Sequence, residues 1–323
     1  MNMTRRGFLF SAGAAGLLPA LGAEAARSLC ITPIRGGGCE TALKLTPLEL
    51  DVGATAPFKA LHVSDTHLNF WDVSDFYGNP EQESHFGRRW VRFPQAMTSF
   101  CATLDYAERN KLPILHTGDL LDWNTEGNVS VLRRLLKGGE FYYALGNHEY
   151  HTSAGRESAL TPEQARARVR TVIGNDLTVA SRVINGVNFV AFDNGEKNLR
   201  AETIEGLRRE FEKGLPVVLM CHIPQKYPEH FRQLGAETKR RILAGQGATP
   251  EAIAAVKPLE NDIWGTYDEK TDAFYRWLEQ QKQLKAILCG HTHTEERGAF
   301  SEYADMIVAG GNYEGFGYEI TFK

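Results

Sequence analysis

Five apolar runs in this 323-residue chain each stop on a short cluster of His, Asp or Asn. Residues 58–64 end at Asp65-Thr66-His67. Residues 112–117 run into Gly118-Asp119-Leu120-Leu121-Asp122. Residues 141–145 lead to Gly146-Asn147-His148-Glu149, 217–221 to His222, and 285–289 to Gly290-His291-Thr292-His293. Runs this short and this apolar read as strands buried on both faces, which occur in sheets covered by helices. Such sheets place ligands at the carboxyl ends of their strands. The polar clusters are therefore expected along one edge.

The intervening segments carry helical spacing. Ala96, Phe100, Leu104 and Ala107 mark a helix over about 94–110, and Val129 to Leu136 a second, stopped by Gly138-Gly139. Thr161-Pro162-Glu163-Gln164 starts a third, with Thr161 as N-cap and Pro at the first helical position. Helices are also expected at 201–213 and 269–282. Strands 178–184 and 187–193 meet at Asn185-Gly186, a hairpin signal. Residues 69–91 show no clear period and read as a loop over the sheet edge. The whole predicts an α/β fold, two packed sheets flanked by helices.

Residues 56–323 form the main domain in this reading, with a capping insertion over about 224–268 that Pro224, Pro228, Gly245, Gly247 and Pro250 punctuate. Residues 26–55 are a tail and edge strand. Residues 1–25 are a signal peptide: Arg5-Arg6 precede an apolar run from Phe8 to Leu21, and Ala23-Glu24-Ala25 offers a cleavage site. The pair followed by Gly7-Phe8-Leu9 resembles a twin-arginine signal. That implies the twin-arginine export machinery as a partner and a periplasmic or extracellular location. The run is short for a membrane span, so none is expected in the mature form.

A net charge of −4 gives no basic footprint, and no nucleic acid duplex is expected as a partner. Of the five cysteines, Cys30 and Cys39 flank Gly36-Gly37-Gly38 and form either a disulfide or two free thiols. Cys101, Cys221 and Cys289 read as buried small hydrophobes.

Taken singly, each polar cluster is ordinary turn chemistry. Asp65 and His67, two apart at a strand end, face the same way and can grip one cation. Gly118 lets the Asp119 backbone and carboxylate approach closely. Asn147 offers a carbonyl oxygen. Together, imidazoles and carboxylates in two pockets sharing one carboxylate describe a two-metal site, with ions roughly 3.5–4 Å apart.

The ordered set Asp65-x-His67, Gly118-Asp119-x-x-Asp122, Gly146-Asn147-His148-Glu149, His222 and Gly290-His291-x-His293 resembles that of the calcineurin-like metallophosphoesterases, over residues 60–293. The resemblance implies their four-layer α/β/β/α β-sandwich flanked by helices. It implies that Asp65, His67 and His293 hold one metal, that Asn147, His222 and His291 hold another, and that Asp119 bridges them. His148 is then the acid that protonates the departing oxygen, with Asp122 as its supporting partner. Asp122 is otherwise a turn residue capping the next helix, and Glu149 has a structural role. The cofactors implied are two divalent or trivalent transition-metal ions, Mn, Fe or Zn.

The phosphoprotein phosphatases of the superfamily carry an Arg after the second Asp, where this chain has Trp123. It looks closer to the bacterial phosphodiesterase-like branch. The activity implied is hydrolysis of a small-molecule phosphate mono- or diester. The alternatives are a nucleotide or nucleotide-sugar pyrophosphatase on the same scaffold, or a phosphate-binding module without turnover. Arg88, Arg89 and Arg92 are candidate phosphate clamps, or else a solvated or acid-paired face. His85 and His151 would either reach the site or stand as exposed loop histidines, and Tyr227, Trp264 and Tyr267 would stack on a substrate ring or pack within the insertion.

Overall fold

A computed structural model describes residues 43–76, 80–136, 140–153, 159–196, 198–225 and 267–323. The signal peptide, the Cys30 and Cys39 question, and nearly all of the expected insertion, with Tyr227 and Trp264, lie outside them.

Eleven strands are described: β1 (Lys44–Leu50), β2 (Phe58–Val63), β3 (Ile114–Thr117), β4 (Phe141–Ala144), β5 (Val179–Ile184), β6 (Val187–Phe192), β7 (Val217–Met220), β8 (Leu284–Cys289), β9 (Glu296–Ala299), β10 (Asp305–Val308) and β11 (Phe316–Phe322). One sheet has the order β1-β11-β2-β3-β4, the other β5-β6-β7-β8-β10-β9. In the first, β2, β3 and β4 are parallel neighbours; in the second, β6, β7, β8 and β10 are. The carboxyl ends of β2, β3 and β4 therefore share one edge of the first sheet, and those of β6, β7 and β8 one edge of the second.

The period-two pattern of the strands sorts their side chains into layers. In β7, Val218 and Met220 join Ala60, Leu115, Phe189 and Ile320 in the core between the sheets. Val217 and Leu219 face outward and join Leu207, Phe211, Phe274 and Leu278. On the far side, Ile114 and Tyr143 meet Phe100, Leu104, Val129, Leu132 and Val169. The helices supplying those residues are α2 (Ala96–Asn110), α3 (Glu126–Leu135), α4 (Pro162–Arg170), α5 (Ala201–Glu212) and α6 (Glu269–Leu278), preceded in the chain by α1 (Pro80–Arg92). The fold is thus the expected two-sheet sandwich flanked by helices.

Local signals account for several boundaries. Thr161 caps α4 in a capping box with Gln164. Asn185 and Gly186 turn the β5–β6 hairpin with φ of 44° and 81°.

Two expectations need correction. Residues 69–91, read as a loop, contain α1, a 13-residue amphipathic helix. Of its large apolar side chains Phe86 is buried while Trp90 and Val91 are exposed, too little to register as a period in the sequence. Cys101 is buried but is also disulfide-bonded, whereas Cys221 and Cys289 are free and buried. No helix among the described residues is long and apolar enough to cross a membrane.

Candidate metal centre

Each predicted donor follows a strand or strand-turn, and the sheet edges bring them together. Asp65 and His67 follow β2, Asp119 follows β3, and Asn147 and His148 follow β4. His222 follows β7, and His291 and His293 follow β8. Main-chain bonds lace the turns to one another: Asp65 N donates to Gly118 O, His67 N to Asp119 O, and Gly290 N to His222 O. Gly118, at φ +95°, has no room for a side chain, since a Cβ there would lie 2.5 Å from the His222 ring.

Two donor groups result. In the first, His293 Nε2 stands 3.2 Å from Asp65 Oδ1 and 3.1 Å from His67 Nε2. In the second, His222 Nε2 lies 3.1 Å from Asn147 Oδ1, 3.2 Å from His291 Nδ1 and 3.2 Å from Asp119 Oδ2. Asp119 Oδ2 is also 3.8 Å from His67 Nε2, so this one oxygen faces both groups. Asp65, His67, Asp119 and His222 are buried.

Three observations say that these groups fit metal ions. Asp65 Oδ1 is buried and accepts no hydrogen bond, a costly state for a carboxylate oxygen unless a cation faces it. Ring nitrogens confront one another in pairs, His67 with His293 and His222 with His291, where lone pairs would repel without a shared cation. Third, the far ring nitrogens of His67 and His222 are fixed as donors. Nδ1–H of His67 donates to Asp122 Oδ1 at 3.1 Å, and Nδ1–H of His222 to Thr117 O at 2.8 Å. Each Nε2 is left as a free electron pair, as metal-ligating imidazoles require.

The electrostatics of the metal-free site agree. Burial would raise the Asp119 carboxyl, but His222, His148 and His67 hold it well below the usual carboxylate range. Burial disfavours the His222 imidazolium, yet Asp119 and Asp65 lift it to about 9. Burial lowers His67 to about 4 and His291 to about 3. The same two carboxylates that lift His222 would draw a cation to its Nε2, and a metal binding there competes with protons for that nitrogen.

His148 stands slightly apart. Its Nε2 is 4.0 Å from Asp119 Oδ2, while its main-chain N–H donates to Asp119 Oδ1 at 3.0 Å. Its Nδ1–H donates to the Asp122 carbonyl at 2.7 Å. Trp123 packs against the ring at 5.0 Å. The Asp122 carboxylate lies 3.4 Å from His148 Nδ1, so its closer partner is His67, and the nearer hold on His148 is the Asp122 main chain.

Glu149 is fully buried and accepts the main-chain N–H groups of Leu121 and Gly146 at 2.9 Å each, and of Asp119 at 3.3 Å. It splints the Asp119 turn to the Asn147 turn.

Of the three arginines, Arg89 reaches the site, but its guanidinium grips both oxygens of Asp122 and lies 4.7 Å over the Phe93 ring. Arg88 is exposed and bonds Ser84, and Arg92 is exposed beside Phe93. His85 and His151 pack around Trp123 at 5.6 and 6.4 Å. Tyr267 packs on Tyr275 at 4.8 Å, within the outer core of the second sheet, which accounts for it without a substrate. Tyr313, which the sequence reading did not single out, brings its hydroxyl to 3.4 Å from His293 Nδ1. It sits in a turn after β10 rather than at a motif-bearing strand end.

Among solved structures, the chain is similar to a dimetal phosphatase from Danio rerio, at 12% identity and a TM-score of 0.41, over 80% of this chain and 88% of that one. It is also similar to a putative 5'-nucleotidase from Staphylococcus aureus, at 12% identity and a TM-score of 0.41, over 80% of this chain and 49% of that one. A phosphopantetheinyl hydrolase from Mycobacterium tuberculosis matches at 14% identity and a TM-score of 0.36, over 79% and 90% of the two chains. The chain spans about half the length of the nucleotidase. No curated protein matches the sequence. The family model for calcineurin-like phosphoesterases matches residues 58–295, a span that contains every donor described above. The chain belongs to the calcineurin-like phosphoesterases, enzymes that hydrolyse phosphoric esters.

Proposed function

We propose that this protein is a binuclear metal-dependent phosphoesterase acting on a phosphate mono- or diester. One observation carries the reading: Asp119 Oδ2 faces both donor groups, so ions held by Asp65, His67 and His293 and by Asn147, His222 and His291 would share it. The mix of imidazole and carboxylate suits Mn, Fe or Zn. When bound, such ions draw charge from the phosphoryl oxygens and acidify the attacking water.

The chain's own residues do the rest. Asp65 and Asp119 would supply the negative charge that holds two cations close together. His148, with Nδ1–H committed to the Asp122 carbonyl, carries its mobile proton on Nε2 at the rim. It gives that proton to the departing oxygen as the ester P–O bond breaks and water's oxygen joins phosphorus, the proton that the water gives up passing to solvent and the imidazole being reprotonated from there. The Asp122 carboxylate, 3.4 Å away and gripped by Arg89, steadies the imidazolium.

The test uses the metal-free protein reloaded with Mn2+ and offered mono- and bis-(p-nitrophenyl) phosphate. Release of nitrophenolate that tracks bound Mn2+ is expected, and the preferred ester separates monoesterase from diesterase. Two bound Mn2+ per chain with no hydrolysis of either ester would overturn the enzyme reading in favour of a binding module.

Export through the twin-arginine route belongs to the same proposal. It is supported by Arg5-Arg6 ahead of an apolar run and by a disulfide at Cys101, which suits an oxidising compartment. N-terminal sequencing of protein from the periplasmic fraction should begin just beyond residue 25. Full-length protein confined to the cytoplasmic fraction would sink this part.

A further inference from the structure

The carboxyl end of β6 lies on the donor edge, beside β7, yet it contributes no donor. Its turn, Asp193-Asn194-Gly195, is nonetheless built into the site from two sides. Asn194 is 3% exposed, and both the oxygen and the nitrogen of its amide are engaged. Its Oδ1 accepts the main-chain N–H of His222 and of Ile223, both at 3.0 Å, and its Nδ2–H donates to Ile223 O at 2.6 Å.

Asp193, next to it, reaches the opposite way. Its Oδ2 accepts from the Tyr150 hydroxyl and, at 3.3 Å, from Arg166 Nη1. Tyr150 ends the 3-10 turn His148–Tyr150 that follows Asn147. Gly195 closes the same contact, since a Cβ there would meet Gly146 O at 2.8 Å. One turn therefore braces the main chain of His222 and the loop of Asn147. Both belong to one donor group; neither belongs to the group of Asp65, His67 and His293.

We infer that Asn194 is a positioning residue for one metal of the pair, fixing the His222 main chain while Thr117 O fixes its ring. The chemistry of the side chain supports this. Three main-chain groups at the end of β7 need two acceptors and one donor, and a neutral amide supplies all three. A carboxylate would keep both acceptor bonds but lose the donor, and would set a charge against the Ile223 carbonyl. The inference rests on the two-metal reading, and its test separates the two.

Asn194→Ala and the near-isosteric Asn194→Asp are titrated with Mn2+ from the metal-free state by calorimetry, with electron paramagnetic resonance reporting whether two Mn2+ are coupled. The control is Asn188→Ala, at the opposite end of the same strand, where a fully buried Asn bonds Glu210. Wild type should bind two Mn2+ with a coupled spectrum. Asn194→Ala should weaken one site by about 10- to 100-fold, leave the other near its wild-type affinity and give an uncoupled spectrum. Asn194→Asp should fall between, and it serves alone if the alanine variant does not fold. Asn188→Ala should lower Tm with both affinities kept. Wild-type affinity at both sites in either Asn194 variant, or equal weakening in Asn188→Ala, overturns the inference while sparing the two-metal reading. Fewer than two Mn2+ on wild type overturns both.

Discussion

Seven described residues other than glycine have left-handed backbone angles: Asp65, His67, Lys111, Asp119, Asn185, His291 and His293. Lys111 caps the end of α2 and Asn185 turns a hairpin, where that conformation is routine. The other five are all donors, with φ from 50° to 73°. Each costs of order 1 kcal/mol and persists only where its surroundings dictate it. The bonds lacing Asp65 to Gly118, His67 to Asp119 and Gly290 to His222 provide that dictation. His148 is free of this strain, as are the donors Asn147 and His222, so what sets it apart is its place: its Nε2 stands 4.0 Å from Asp119 Oδ2 while its Nδ1–H is committed to the Asp122 carbonyl. His148→Ala is therefore expected to keep both Mn2+ and lose about 10²- to 10⁴-fold in kcat on alkyl phosphoesters, with a much smaller loss on nitrophenyl esters, whose leaving groups need no proton. Parallel kinetics on the two ester classes, with bound metal counted, check this. Unchanged alkyl ester rates would remove His148 from the acid role.

At the scale of elements, β2 and β3 carry more than donors. His62 and His116 sit on these adjacent strands, fully buried, with His62 Nε2 3.0 Å from Thr117 Oγ1 and His116 Nε2 2.9 Å from Thr66 Oγ1. Burial lowers both imidazoles to about 3. A pKa depressed from 6.5 gives stability that is full above about 6.5 and is lost as pH falls towards 3. Each histidine steepens that loss by up to about 1.4 kcal/mol per pH unit. Glu149 runs the other way: burial raises it to about 7, so its contribution fades as pH rises from 4.5 to 7. A wild-type to variant comparison cancels that common term. Urea unfolding of metal-free protein between pH 4.5 and 6.5 should show a slope against pH that is shallower in His62→Asn by roughly one proton. Identical slopes would mean that His62 is not held neutral. α1 adds a different element-scale link, since Arg89 ties it to Asp122 and so to the ring of His67.

Across the whole molecule, much of the site was legible because its donors obey a local rule. Each follows an apolar strand, and Asp119, Asn147 and His291 follow a glycine directly, so strand recognition also located the chemistry. The hairpin at Asn185-Gly186 and the cap at Thr161 were legible for the same reason: a few adjacent residues specify them. Asn194 was not, although Asp-Asn-Gly ends a strand like the rest, because a side chain that serves another residue's backbone leaves no pattern of its own. The turn of Arg89 towards Asp122 was equally hidden, because it depends on α1, whose sparse apolar face did not register. Nor could strand order be read: β11 lies between β1 and β2, parallel to one and antiparallel to the other, a pairing between distant parts of the chain.

That placement of β11 has a consequence for how the chain is made. Among the described strands β1 has a single neighbour, and its partner residues Phe316–Phe322 leave the ribosome after every other described strand. Throughout synthesis β1 is an unpaired strand, open to other nascent chains. Its sequence carries Pro47 at the centre, which removes one main-chain donor from the waiting ladder. The residue that makes β1 a poor recruit for strangers leaves it able to take its own late partner, because an edge strand can spare that bond.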